Sequence, residues 1–172
     1  MSTDHQFFED FARRWVDAWN SGSTDRVLEL LHPDITWDER VFWPEVLHGR
    51  EAVRVYVEAV WRAMPGYRME ERQLFTAPTE GRALVFFRQT GRGPAGLGEN
   101  RSFETQGCDI FLGFTDGLLS DYTATFDIVD MLRQLEALPP RGQLKGGAYL
   151  MSLPRRAEPV GARGARGGEP TP

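Results

Sequence analysis

Apolar side chains recur every three to four residues near the start of the chain and every second residue further on, and this change of period separates helices from strands. Phe7, Phe8, Phe11, Trp15 and Trp19 stand at helical spacing with Asp and Arg on the other side, so residues 6–20 read as an amphipathic helix ending at Asn20-Ser21-Gly22. Thr24 sits ahead of a second, shorter helix over 25–31, stopped by His32-Pro33. Over 34–40 the pattern alternates: Ile35, Trp37 and Glu39 fall on one side, Thr36, Asp38 and Arg40 on the other, which predicts a short strand. The loop VFWPEVLHG follows. Gly49-Arg50-Glu51 then opens a third helix whose Val53, Val57, Val60, Trp61 and Met64 make one stripe, ended by Pro65-Gly66.

Four strands are predicted next, over 67–76, 83–92, 103–114 and 118–125, separated by Gly- and Pro-rich segments such as GRGPAGLGEN. Asp116-Gly117 is the dipeptide that best tolerates the positive φ angles of a two-residue hairpin turn. If Thr115 pairs with Leu118, Phe111 stands opposite Tyr122 and Asp109 opposite Ala124. Gly107, Asp109, Phe111, Ser120, Tyr122, Ala124 and Phe126 then share one face; Cys108, Ile110, Leu112, Phe114, Asp121, Thr123 and Thr125 share the other. Both faces hold apolar groups, so the alternation leaves open which one is inside. Asp127 caps a last helix running to residue 138. The order predicts an α+β domain over 1–139, a curved antiparallel sheet wrapped around the long N-terminal helix as a cone-shaped α+β barrel with room for a small apolar ligand. Residues 140–153, with Tyr149, Leu150, Met151 and Leu153, read as an extension able to dock, and 154–172 as a disordered tail.

Composition narrows the picture. A chain of 172 residues, 41% hydrophobic, suits one domain plus a tail. Cys108 stands alone, which excludes an internal disulfide, and without a C-x-x-C or a His cluster no structural zinc is expected. An acidic start and the lack of any membrane-length apolar run predict a soluble, cytoplasmic protein with no membrane partner. Residues 1–138 hold 14 Lys and Arg against 23 Asp and Glu, and residues 139–172 hold 6 against 2. So acidic a body repels phosphates, and no nucleic-acid partner is expected.

The candidate chemistry lies in the strands. Asp109 is a carboxylate in the middle of an apolar strand, where burial raises its pKa toward a value useful for proton transfer. Glu39 shares a strand face with Trp37, and a second carboxylate lets one group act as base and the other as acid. Tyr122 is placed to donate to a developing enolate oxygen. Of Arg88 and Gln89 one must point inward. Arg88 there implies an anionic ligand or a charge pair with Glu104 or Asp109. Trp15, Trp19, Tyr56 and Trp61 read as core, from which a pocket borrows one or two. His32 and His48 read as structural, and Asp127 and Asp130 as caps. No phosphate loop, Ser-His-Asp set, dinucleotide fingerprint or metal site is present in the sequence, and no cofactor is expected.

The strings WVDAWNSGSTDRVLELLHPDITW (15–37), HGREAV (48–53), CDIFLGFTDGLL (108–119) and FDIVDMLRQLEALP (126–139), in this order, resemble the nuclear-transport-factor-2-like superfamily, most closely its SnoaL-like polyketide cyclase branch. The resemblance covers roughly residues 6–139. It implies that Trp37, Glu39 and Asp109 face a pocket, and that the protein is a homodimer. Cyclase relatives often carry His-Trp-Asp on the next strand, where this chain has Tyr122, Thr123 and Ala124. The reading that follows is a cofactor-free cyclase or isomerase of secondary metabolism, such as antibiotic biosynthesis, acting on an apolar, polyketide-like molecule. Asp109, Glu39 and Tyr122 would be catalytic; Trp37, Arg88, Gln89, Trp15, Tyr56 and Phe126 would bind substrate. The alternative is a non-catalytic binding or dimerisation module of the same fold. Epoxide opening ranks lower, because such relatives carry a carboxylate where Ala124 stands. A pocket with paired carboxylates would favour an enzyme, and a cavity collapsed around Trp and Phe would remove both enzyme readings.

Overall fold

Helix α1 (His5–Ser21) buries the stripe its spacing predicts, with Phe8, Phe11, Trp15 and Trp19 all removed from solvent. The computed structural model describes residues 5–97 and 101–138; the expected extension over 140–153 and tail over 154–172 lie outside them. After α1 come α2 (Thr24–Leu28), β1 (Leu31–Asp38), β2 (Leu47–His48), α3 (Arg50–Ala63), β3 (Arg68–Ala77), β4 (Arg82–Arg92), β5 (Ser102–Thr115), β6 (Leu118–Phe126) and α4 (Ile128–Gln134). The fold is the expected mixed α+β architecture, a curved six-stranded sheet in the order β2-β1-β6-β5-β4-β3.

Rings hold α1 against the sheet. Phe11 meets Phe111 at 5.2 Å and Phe114 at 4.8 Å between centroids, and Trp15 meets Tyr122 at 5.5 Å and Trp37 at 6.1 Å. Burying one such side chain is worth roughly 1.5–3 kcal/mol, against about 1 kcal/mol for a typical net hydrogen bond. Packing, then, fixes the helix, and the polar contacts it carries are positioned as a consequence.

Local sequence and long-range pairing disagree at several places. The second helix stops at Leu28, not residue 31, because Leu30 and Leu31 are drawn into strand pairing: Leu119 N donates to Leu30 O at 3.0 Å and Leu31 pairs with Leu119. Residues 47–48, read as loop, pair with Thr36 and Trp37. Strand β1 runs parallel to β6, so the sheet is not wholly antiparallel. The final helix ends at Gln134, four residues before the expected end.

The β5–β6 hairpin turns at Asp116-Gly117, both with positive φ, and pairs Thr115 with Leu118, Phe111 with Tyr122 and Asp109 with Ala124, as the turn chemistry predicts. Between these points Gly113 pairs with Asp121, which leaves Leu112 and Ser120 as extra residues on either strand. Each bulge reverses the alternation locally. Phe114 therefore packs inward against Phe7, Phe8 and Phe11, and Leu119 is buried where Ser120 was expected.

The inner face is the one carrying Gly107, Asp109 and Phe111. Gly107 is required there by close approach. A Cβ at this position would stand 2.7 Å from the Phe87 ring and 2.8 Å from both Phe126 Cβ and Thr125 O. Gly107→Ala is expected to lose about 1–3 kcal/mol of stability through overpacking, read as a lower urea midpoint. An unchanged midpoint would mean that Phe87 and Phe126 give way freely.

Candidate active site

Asp109 projects from the centre of β5, between Val85 of β4 and Ala124 of β6. Only 3% of it is exposed. The indole of Trp15, on α1, donates to Oδ2 at 2.7 Å, and the hydroxyl of Tyr122, on β6, donates to Oδ1 at 2.7 Å. Each carboxylate oxygen is thus held by a neutral donor from a different element.

Glu39 follows the last residue of β1 and continues its alternation, so it points inward with Ile35 and Trp37 and is 5% exposed. Its backbone carbonyl accepts from Phe42 N at 2.8 Å and Trp43 N at 2.9 Å, which turns the chain back and keeps the side chain under the fold. The Trp37 indole donates to Oε2 at 3.0 Å, and the Tyr56 hydroxyl, from α3, is a second donor. A surface glutamate at a strand end is excluded.

Among the described residues no basic side chain lines the cavity that these two carboxyls share. Burial therefore dominates their titration. It pushes Asp109 up to about 6, with the bonds from Tyr122 and Trp15 opposing the rise. It pushes Glu39 up to about 8, opposed by the Tyr56 bond and reinforced by the negative charge of Asp109. Between about 6 and about 8 the pair holds one charge and one proton in a fixed order. Burial first, then the neighbouring carboxylates, raise Tyr56 and Tyr122 well above their ordinary pKa, so both remain neutral donors.

Besides these carboxyls, the cavity wall is built from polar Trp19, Tyr56, Tyr67, Gln89 and Tyr122 and apolar Val60, Met64, Met69, Phe87 and Phe126. Its free volume is about 20 Å³, enough for a water molecule and too little for a ring. Phe42 and Trp43 pack on Tyr56 at 6.2 and 5.7 Å, and Phe42 also meets Phe126 at 6.0 Å, so the loop after β1 leans on two of the lining rings. Among the described residues no group of three or more His, Cys, Asp and Glu is arranged to hold a metal, and no helix is long and apolar enough to cross a membrane.

Of the residues singled out in the sequence, Glu39, Tyr56, Gln89, Asp109, Tyr122 and Phe126 meet at this cavity. Three do not. Arg88 lies on the outer sheet face, bonded to Glu70 at 3.1 Å and Glu104 at 2.6 Å, because Val85, Phe87 and Gln89 take the inward parity of β4. Its expected partner Glu104 is therefore found and its expected place in the pocket is not. Trp15 and Trp37 are wholly buried behind the wall; instead of stacking on a ligand they orient the two carboxylates. Tyr67, just before β3, and Met69, its second residue, also line the cavity, and nothing in their local pattern separates a lining residue from ordinary core.

The SnoaL-like domain profile matches residues 12–122, which takes in the second half of α1, both carboxylates and Tyr122. The chain belongs to the SnoaL-like domain family. Solved structures agree on the fold. TsrD from Streptomyces laurentii is 23% identical over 78% of this chain and 98% of its own, with a TM-score of 0.65. A protein of ketosteroid isomerase-like fold from Catenulispora acidiphila, solved with trimethylamine, is 13% identical over 76% and 94%, at 0.66. SalBIII, an epoxide hydrolase/cyclase-like enzyme in pyran ring formation in the polyether salinomycin, is 17% identical over 74% and 96%, at 0.64. No curated protein matches the sequence.

Proposed function

We propose that this SnoaL-like protein is a cofactor-free cyclase or isomerase that moves protons on a polyketide-like substrate. The observation that carries the reading is the pair of buried carboxyls, Asp109 and Glu39, opening on one cavity with well-separated protonation. At neutral pH ionised Asp109 takes a proton from a carbon flanked by carbonyls, and the electron pair moves onto a carbonyl oxygen to give an enolate. In a cyclisation the enolate carbon attacks a second carbonyl, and the alkoxide that forms takes the proton of Glu39. Asp109 ends protonated and Glu39 ionised; proton exchange with water resets both. Tyr122, committed to Asp109, orients the base and does not contact the enolate.

Ala124 removes one carboxylate that the His-Trp-Asp pattern would supply, and Glu39 provides a second from another strand. This is why the absence at position 124 does not argue for a mere binding module. The same acid and base also suit epoxide opening, where the acid would protonate the ring oxygen. The narrowness of the cavity favours a second reading, a non-catalytic ligand-binding or dimerisation module. We include a homodimer in either reading, joined through the outer sheet face, where Leu84, Phe86, Cys108 and Ile110 are half-buried and Phe75 is exposed.

Solvent deuterium exchange into linear and polycyclic 1,3-dicarbonyl compounds tests the proposal. Exchange accelerated by the native protein is expected; no acceleration with any compound would leave the binding module.

A further inference from the structure

Five side chains bring N–H or O–H groups to the cavity wall: Trp19, Tyr56, Tyr67, Gln89 and Tyr122. Three of them are engaged. Tyr122 donates to Asp109 at 2.7 Å, Tyr56 bonds Glu39, and the Gln89 amide nitrogen donates to the Thr105 hydroxyl at 2.9 Å. Among the described residues the indole N–H of Trp19 has no partner, although the residue is 95% buried, and the Tyr67 hydroxyl makes no hydrogen bond. The two rings touch, edge to face at 5.9 Å between centroids. A buried unpaired donor is destabilising, and native proteins rarely keep one without a use.

We propose that Trp19 and Tyr67 form a two-donor cradle for an acceptor oxygen of the ligand, of the carbonyl or enolate class. This deepens the proton-transfer reading and rests on it for the choice of a dicarbonyl. The engaged donors serve the carboxylates, so the oxygen that gains charge when Asp109 acts needs donors of its own. A 1,3-dicarbonyl has two oxygens that share that charge: protonated Glu39 addresses one and the cradle the other. Burial first, then the Asp109 and Glu39 carboxylates, raise Tyr67 well above its ordinary pKa, so its hydroxyl remains a neutral donor. Because both cradle donors are neutral, they bind an enolate oxygen more strongly than a ketone without fixing Asp109 in its charged form. The neighbouring Val60, Met64 and Met69 ask for an apolar body on the rest of the ligand.

The test uses the full chain with ¹⁵N in its indoles, the Trp19 N–H resonance being assigned by its loss in Trp19→Phe. The probe is 2-methylcyclohexane-1,3-dione, whose entry requires Phe42 and Trp43 to move off Tyr56 and Phe126 and widen the cavity, with methylcyclohexane as the control lacking oxygens. The Trp19 indole proton is expected to move downfield saturably with the dione and to stay in place with the hydrocarbon. Tyr67→Phe, which keeps the ring and so the fold, is expected to weaken dione binding about ten-fold. Failure of the dione to bind, an indole proton unmoved at saturation, or unchanged affinity in Tyr67→Phe overturns the cradle; an N–H that merely rests on the face of Trp61 would give the second result. Deuterium exchange into the same dione, followed in parallel, separates the two claims. Exchange without an indole shift sinks the cradle alone, and an indole shift without exchange sinks the proton-transfer reading alone.

Discussion

Asp109→Asn is expected to slow dicarbonyl proton exchange by about 10²–10⁴-fold, the usual worth of a general base, while the protein stays folded. An amide cannot take the substrate proton at any accessible pH. It can replace the carboxylate sterically: its oxygen accepts from the Trp15 indole and its NH₂ donates to the Tyr122 oxygen, once that hydroxyl turns from donor to acceptor. The native pH profile carries the complementary prediction. The rate should rise as Asp109 loses its proton near 6 and fall as Glu39 loses its own near 8, a bell whose acid limb is absent in the variant. A variant that keeps the native rate, with melting behaviour close to native, would remove Asp109 from the mechanism.

Glu39→Gln should change how stability depends on pH more than any other single substitution in the molecule. Folding raises the Glu39 pKa from 4.5 to about 8. The folded state therefore holds the proton more tightly than the unfolded chain, and by linkage the contribution of Glu39 to stability is fully present below about 4.5 and is lost as pH rises through about 8. The amount at stake is on the order of 3–5 kcal/mol as an upper range, since it is the cost of charging a buried group with no cation beside it. Glutamine keeps an oxygen for the Trp37 indole and the Tyr56 hydroxyl and cannot ionise. Urea unfolding at pH 5, 7 and 9 should show the native protein weakening and the variant weakening less, the gap opening with pH. The slope that remains belongs to Asp109, raised from 3.8 to about 6 by the same burial. Parallel curves for the two proteins would mean that Glu39 is not neutral inside the fold.

Much of this site is legible in one dimension. Alternation through Ile35, Trp37 and Glu39, the Asp116-Gly117 turn and a lone carboxylate in an apolar strand suffice to nominate Glu39 and Asp109 and to pair Asp109 with Ala124. Parity fails where both faces of a strand are apolar. On β4, Leu84 and Phe86 alternate with Val85 and Phe87, so nothing local decides that Gln89 and not Arg88 turns inward. Bulges at Leu112 and Ser120 break an alternation that is otherwise regular; Gly113 beside the first is a hint in the sequence, and no residue type announces the second. The roles of Trp15 and Trp37 are hidden for another reason: a helical or strand stripe shows that an indole is buried and not what its N–H meets, and the partners lie as far as 94 positions away. The parallel pairing of β1 with β6 is likewise a property of the closed chain.

That both carboxylates hang from indoles has an optical consequence. Indole emission responds to charge on a hydrogen-bonded neighbour, and Trp15 and Trp37 sit 2.7 and 3.0 Å from the Asp109 and Glu39 carboxyl oxygens. Arginine or lysine in their place would have been silent, and would have locked each acid in its charged form. The protein thus carries a built-in reporter of its two buried carboxyls, one indole on each, and its emission is expected to change with their protonation without any label.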